Sequence, residues 1–338
     1  MVHLRYNFVK LNTNMIQDRR NYCIDVFKVV LALLVVYIHF PPSYYEWIKP
    51  IASCAVPVFF IISGYYLFRD DNPDRVKKTV KRIFKLTFIW GVIYLLYDNF
   101  FIVKWQDFII YSPQELGEVI LFNRLAHGHH LWYLSSYYYA LAAVWLFYRF
   151  NMIRYSNIIA LFLFVINLLV GYYSENLFGN PLPFYYARNG ILWALPMLLV
   201  GRFIRRDVQL EMLFRYRYAF LIFLLVIYIG NVLGIEMLMP STMIPNIPTI
   251  LMTIVLFFLI LCFGNGTDTI MAKLGREYTL YIYILHMFFL PIKPIVYRYA
   301  PWLDSVLPIL VFGSSLLLSM GLVSLRSKIY RIKNVNNK

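Results

Sequence analysis

The sequence predicts an all-α, polytopic membrane protein that crosses the bilayer about ten times, with both ends on the cytoplasmic side. Three observations lead there. Hydrophobic residues make up 61% of the chain, only 14% are charged, and the mean hydropathy is +0.62. A soluble chain of this size needs far more polar surface than that. The apolar residues come in blocks of roughly 15 to 20, the length a helix needs to cross a hydrocarbon layer of ~30 Å. Aromatic residues form 19% of the chain, with 29 Tyr and 28 Phe, and many sit near block ends, where amphipathic rings favour the headgroup region.

In order, the blocks read as spans at 24–40, 51–68, 84–103, 131–148, 156–174, 187–204, 217–235, 249–265, 278–292 and 305–325. They are helices because lipid leaves no partner for an open backbone group. The third is interrupted by Asp98 and Asn99, and the end of the ninth is blurred by Pro291 and Pro294. With the N-terminus inside, the cytoplasmic segments hold 25 of the 32 Lys and Arg residues, the outer loops hold six, and Lys28 lies within the first span. That alternation follows the positive-inside rule and sets count and orientation together. The formal charge of +15 therefore records topology in a cell membrane, and a nucleic-acid partner is excluded. Residues 1–338 read as a single transmembrane domain, with helices from 24 to 325 and a basic cytoplasmic tail at 326–338. Residues 1–20 are polar and basic, unlike a cleavable signal peptide. Cys23, Cys54 and Cys262 are odd in number and scattered, with neither a disulfide framework nor a metal-ligand spacing.

Ionisable groups within spans are costly and mark candidate sites. The first span, CIDVFKVVLALLVVYIHF, holds Lys28 and His39 eleven residues apart. Eleven steps of 100° return to nearly the same helix face, with roughly 16 Å of rise between them. Histidine suits proton abstraction from a hydroxyl near neutral pH. Lysine offers fixed charge and three donors to a phosphate, a carboxylate or a thioester oxygen. The plainer alternative is that Lys28 pairs with Asp25 and that His39 is interfacial. Ser63 and Gly64, near the cytoplasmic end of the second span, serve either close helix packing or close approach of a slim ligand.

The stretch RDDNPDRVKKTVKRIFK then supplies Arg69, Arg75, Lys77, Lys78, Lys81, Arg82 and Lys85. It reads either as a positive-inside segment beside anionic lipid or as a complement to a phosphate-rich cofactor. On the outer side, NRLAHGHHLWYLSS places His127, His129, His130 and Trp132 before the fourth span. No carboxylate or further ligand at a clear spacing supports a metal there. Arg188 and Asn189 open the sixth span, and His286 lies in the outer half of the ninth. His129, His130, Trp132, Arg188, Asn189 and His286 are thus candidates for an outward acceptor site.

These residues carry a resemblance to the acyltransferase-3 type of integral-membrane acyltransferases, many of which O-acetylate bacterial surface polysaccharides. The family pattern of a basic residue, ten residues and a histidine is met by Lys28 and His39, although arginine is usual where Lys28 stands. PVFFIISGYYL (57–67), HLWYL (130–134), ARNGILWALPMLLVGRFI (187–204) and LYIYILH (280–286) are similar to later family blocks. The resemblance implies acyl-CoA, chiefly acetyl-CoA, as a cytoplasmic donor with no tightly bound cofactor. It implies a hydroxyl of a cell-surface or lipid-linked carbohydrate as acceptor. His39 would be the general base and Lys28 its catalytic partner. Arg69, Lys78, Lys81, Arg82, Ser63 and Gly64 would hold the donor. The rival is a binding or transport module for an amino acid, because membrane-bound serine racemases resemble this family in their membrane half. A chain that naturally stops near Lys338 favours the enzyme.

Overall fold

A computed structural model describes residues 20–102, 112–122, 128–235 and 244–336. Among them every regular element is helical. Helix α1 (Tyr22–His39) starts where the Asn21 side chain accepts the Ile24 amide at 3.0 Å, a local N-cap. A break at Ser53 divides the next apolar block into α2 (Tyr45–Ala52) and α3 (Ala55–Leu67). Helix α4 (Pro73–Tyr97) is capped by Asn72 with Pro73 at its first position. Next come the short α5 (Pro113–Phe122), then α6 (Trp132–Arg149) and α7 (Ser156–Val170). Helix α8 (Leu195–Asp207) follows a π-helical turn at Gly190–Ala194. Then come α9 (Leu210–Val232) and α10 (Ile247–Cys262), the latter capped by Asn246. Three short helices, α11 (Ile270–Glu277), α12 (Thr279–Leu285) and α13 (Ile292–Tyr299), lead to α14 (Leu307–Asn336).

The most extensive helix pairing is α3 with α8. A Cβ on Gly64 would lie 2.0 Å from the Leu198 carbonyl oxygen, and one on Gly201 would lie 2.2 Å from that of Ile61. Each glycine thus lets the partner backbone in, as small residues do wherever membrane helices approach closely. Around this seam Phe60, Phe68, Leu134, Leu198 and Phe257 close the core without exposed surface. The outer faces of α4, α7 and α9 are apolar too, with Phe88 64%, Ile158 71% and Ile222 61% exposed. Such surface is a liability in water and is at home against lipid tails.

Ten spans were expected. Among the described residues, five stretches are long and apolar enough to cross: Tyr22–His39, Tyr45–Leu67, Ile153–Val170, Leu210–Val232 and Pro301–Lys328. The pair Thr279–Phe289 and Ile292–Tyr299, bent by 58°, makes a sixth if it counts as one span. The others fall short for local reasons. Helix α4 carries its cations in the first turns and passes at Asp98 into a π-helical turn. Tyrosine and serine dilute α6, the π-helical turn shortens α8, and α10 has 16 residues. Beyond residue 325 the chain continues α14 as helix to Asn336. The polar residues that interrupted the third block are satisfied. Asn99 donates to the Leu95 carbonyl at 2.8 Å, and Asp98 accepts the Gly128 amide at 3.1 Å.

Candidate functional site

Two cavities adjoin along α1. The first, of about 230 Å³, is lined by His39, Trp132, Arg188, Trp193, Val56 and Tyr283, among others. The second, of about 250 Å³, takes in Lys28, Ser63, Arg82 and Arg276, and again Val56 and Tyr283. Two residues are therefore a wall to both, and the eleven-residue spacing on α1 puts one candidate side chain in each.

At the first cavity His39 is the last residue of α1. The Lys293 ammonium donates to its carbonyl at 3.4 Å, which serves one of the open acceptors at a helix end. Its ring centroid is 5.0 Å from that of His286, which is 5.5 Å from that of His130. His286 and His130 are both buried, whereas His129 is exposed. His286 Nδ1 lies 3.2 Å from the Ile282 carbonyl, and His130 Nε2 lies 3.1 Å from that of Ile284. Carbonyls only accept, so those nitrogens carry the protons and the opposite nitrogens carry lone pairs in the neutral rings. Neither His286 Nε2 nor His130 Nδ1 has a hydrogen-bond partner among the described residues. An imidazole thus stands next to His39, and a second one behind it, each with an acceptor nitrogen available.

The His130 turn is held from α4: the Tyr94 hydroxyl donates to Ile284 at 2.6 Å, and its ring meets His130 edge-on at 4.5 Å. Across the cavity the Arg188 guanidinium sits 4.0 Å above the Trp132 ring, a cation–π pair. Asn189 is taken up in the backbone. Its side chain accepts the Ile191 and Leu192 amides at 2.9 Å and donates to the Tyr186 carbonyl at 2.7 Å. It lines neither cavity.

At the second cavity Lys28 donates to Asp25 at 2.8 Å, and Arg20 donates to the same carboxylate at 2.6 Å. The pairing weighed from the sequence is present, and Lys28 also borders the open space, 5.2 Å from the Tyr66 ring centroid. Helix α11 crosses here, its Gly275 lying against the Asp25 carbonyl, so that Arg276 joins the lining. Ser63 is within hydrogen-bond reach of the Tyr133 and Tyr137 hydroxyls. Of the basic stretch only Arg82 reaches the cavity. Lys78 and Lys81 are exposed one turn away or less, and Arg69 lies 3.7 Å from Asp70. Gly64 faces Leu198 across the helix seam. His127 lies outside the described residues.

Tyr283 and Arg276 were not singled out from the sequence. Tyr283 precedes His286 by three positions, a spacing that puts both on one helix face. Arg276 reads alone as one more positive-inside charge. Among the described residues no group of three or more His, Cys, Asp or Glu could hold a metal ion.

A family profile described as an acyltransferase domain, of the acyltransferase-3 type, matches residues 21–325. Curated relatives include an amino-acid racemase of Enterococcus faecalis, 30% identical over 207 residues, which cover 54% of this chain and 27% of that protein. A serine/alanine racemase of Enterococcus gallinarum is 28% identical over 298 residues, covering 79% and 40% respectively. A second amino-acid racemase of E. faecalis is 25% identical, covering 90% and 46%. The chain thus spans less than half the length of these relatives. No solved structure matches.

Proposed function

The chain belongs to the acyltransferase-3 family, and from that premise we propose that it is a multi-pass membrane O-acyltransferase that moves an acetyl group from cytoplasmic acetyl-CoA to a hydroxyl of a cell-surface or lipid-linked carbohydrate. The observation that carries the reading is the pair of cavities sharing Val56 and Tyr283, with His39 in one and Lys28, Arg82 and Arg276 in the other. The Lys28 side takes the donor, its cations facing the CoA phosphates and the thioester end. The His39 side takes the acceptor, with Arg188 and Trp132 offering a donor fork and a flat apolar face to a sugar. This orientation goes with ten crossings and both termini in the cytoplasm, and with the cell membrane as location.

In the reaction His39 takes the proton of the acceptor hydroxyl as its oxygen attacks the thioester carbonyl. The C–O bond forms, the C–S bond breaks, and the thiolate leaves. The proton taken by His39 balances the one the thiolate regains as free CoA thiol. His286, whose ring centroid lies 5.0 Å from that of His39, is the imidazole placed to steady the charged His39 ring, and a general base of this kind contributes ~10²–10⁴-fold in rate. His39→Ala is the test: surface glycans analysed by mass spectrometry should lose the acetyl mass, while the protein still inserts and binds donor. Undiminished acetylation by a folded variant overturns the assignment.

A second reading is favoured by the curated relatives, which are amino-acid racemases. In it the chain is a membrane module that binds or carries an amino acid, as we infer for the membrane part of those racemases. Saturable amino-acid binding unaffected by His39→Ala, with no acyl transfer, would favour it.

A further inference from the structure

The two cavities share part of one wall. Val56 and Tyr283 belong to both linings. The Tyr283 ring meets Tyr133, which also lines the second cavity, edge-on at 5.2 Å, and Tyr133 in turn lies 4.7 Å from Phe60, which has no exposed surface. His130 and His286 stand on its other side at 5.8 and 6.0 Å. Val56 lies in the first turn of α3, one residue before Pro57 and in the helix locked to α8 at Gly64. Close-packed interiors yield little, so neither wall withdraws without moving the core behind it.

We propose that Val56 and Tyr283 form the neck at which acyl transfer takes place, and that this neck restricts the donor to short acyl chains. The proposal rests on the acyl-transfer reading and names its substrate class. Lys28 and His39 are roughly 16 Å apart along α1, so donor and acceptor enter from opposite ends and the reacting carbonyl sits at the shared wall. The pantetheine arm fills the cavity of about 250 Å³ and the hydroxyl-bearing sugar fills the one of about 230 Å³. Both are small beside ordinary ligand pockets of ~300–1,000 Å³. With both occupied, the alkyl part of the acyl group has only the space between the Val56 methyls and the Tyr283 ring. An acetyl methyl fits such a slot, and each further methylene presses on one wall or the other.

The test is a panel of acetyl-, propionyl-, butyryl- and hexanoyl-CoA given to the membrane-embedded protein, with transfer read by mass spectrometry. Val56→Ala keeps a strong helix former and removes two methyls, and Tyr283→Leu is a second, independent opening of the slot. Either should raise the ratio of butyryl to acetyl transfer by about tenfold or more, the scale of one to two methylenes in an apolar pocket. Val56→Phe should lower the ratio of propionyl to acetyl transfer. Wild-type transfer with unaltered ratios in the opened variants overturns the neck alone. No transfer by wild type from any donor overturns the acyl-transfer reading and the neck with it.

Discussion

Lys28 and Arg20 share one carboxylate, that of Asp25, at 2.8 and 2.6 Å, and Asp25 has no exposed surface while Lys28 keeps an edge on the open cavity. The pairing orients the lysine without removing it from the site, since an ammonium has three donors and Asp25 takes one. Removing Asp25 strands the largely buried Lys28 cation while Arg20 keeps contact with solvent, so the loss falls below the ~3–5 kcal/mol of a fully buried pair. Asp25→Ala should lower the melting temperature in detergent by many degrees. Lys28→Arg, which keeps charge, should retain much of the transfer activity that Lys28→Ala loses. Equal thermal stability of Asp25→Ala and wild type would show that the pair contributes nothing.

The glycines at the α3–α8 seam make the second prediction. A methyl on Gly64 has no room 2.0 Å from a carbonyl oxygen, and backbone cannot swing aside as a side chain does. Gly64→Ala should cost ~1–3 kcal/mol or more, the range for overpacking. Gly91→Ala, where nothing lies within 4 Å, should be tolerated. Thermal unfolding of the purified variants decides it, and a stable Gly64→Ala would mean that the helices part easily.

Donor contacts can be apportioned among the cations. Arg82 and Arg276 line the Lys28 cavity, whereas Lys78 and Lys81 face outward. Arg82→Glu and Arg276→Glu should raise the KM for acyl-CoA strongly, and Lys78→Glu and Lys81→Glu should raise it less. All four effects should shrink at high salt, which screens exposed charge over ~10 Å at 0.1 M. Equal donor affinity in all four would return the stretch to topology alone.

Orientation is open to direct labelling. Single cysteines placed beside Arg75 and Arg206 should react only with reagents that enter the cell, and those beside Lys49 and Arg298 with reagents that do not. The opposite pattern, or a mixed one, would reject the inward Lys28 and outward His39 on which the reaction scheme stands.

The amino-acid sequence alone determined that this protein is helical and lies in a membrane, because apolar blocks of span length leave a backbone no other way to satisfy its hydrogen bonds. It also determined that Lys28 and His39 share a face, since helical periodicity is local and is fixed by spacing. Their neighbours were beyond its reach. His130 and His129 are adjacent in sequence, yet one is buried against Tyr94 and the other exposed, a choice made by helices far away in the chain. Lys78, Lys81 and Arg82 look alike as a basic run, and only Arg82 lines the cavity, where α4 packs on α6. Of the ten expected spans, five or six meet the length and composition of a crossing helix among the described residues, because π-helical turns at Asp98 and Gly190 and the bend after Phe289 break blocks that hydropathy joined. The meeting of two cavities at Val56 and Tyr283, 227 residues apart, was decided by tertiary structure, because only packing brings α3 and α12 to the same point.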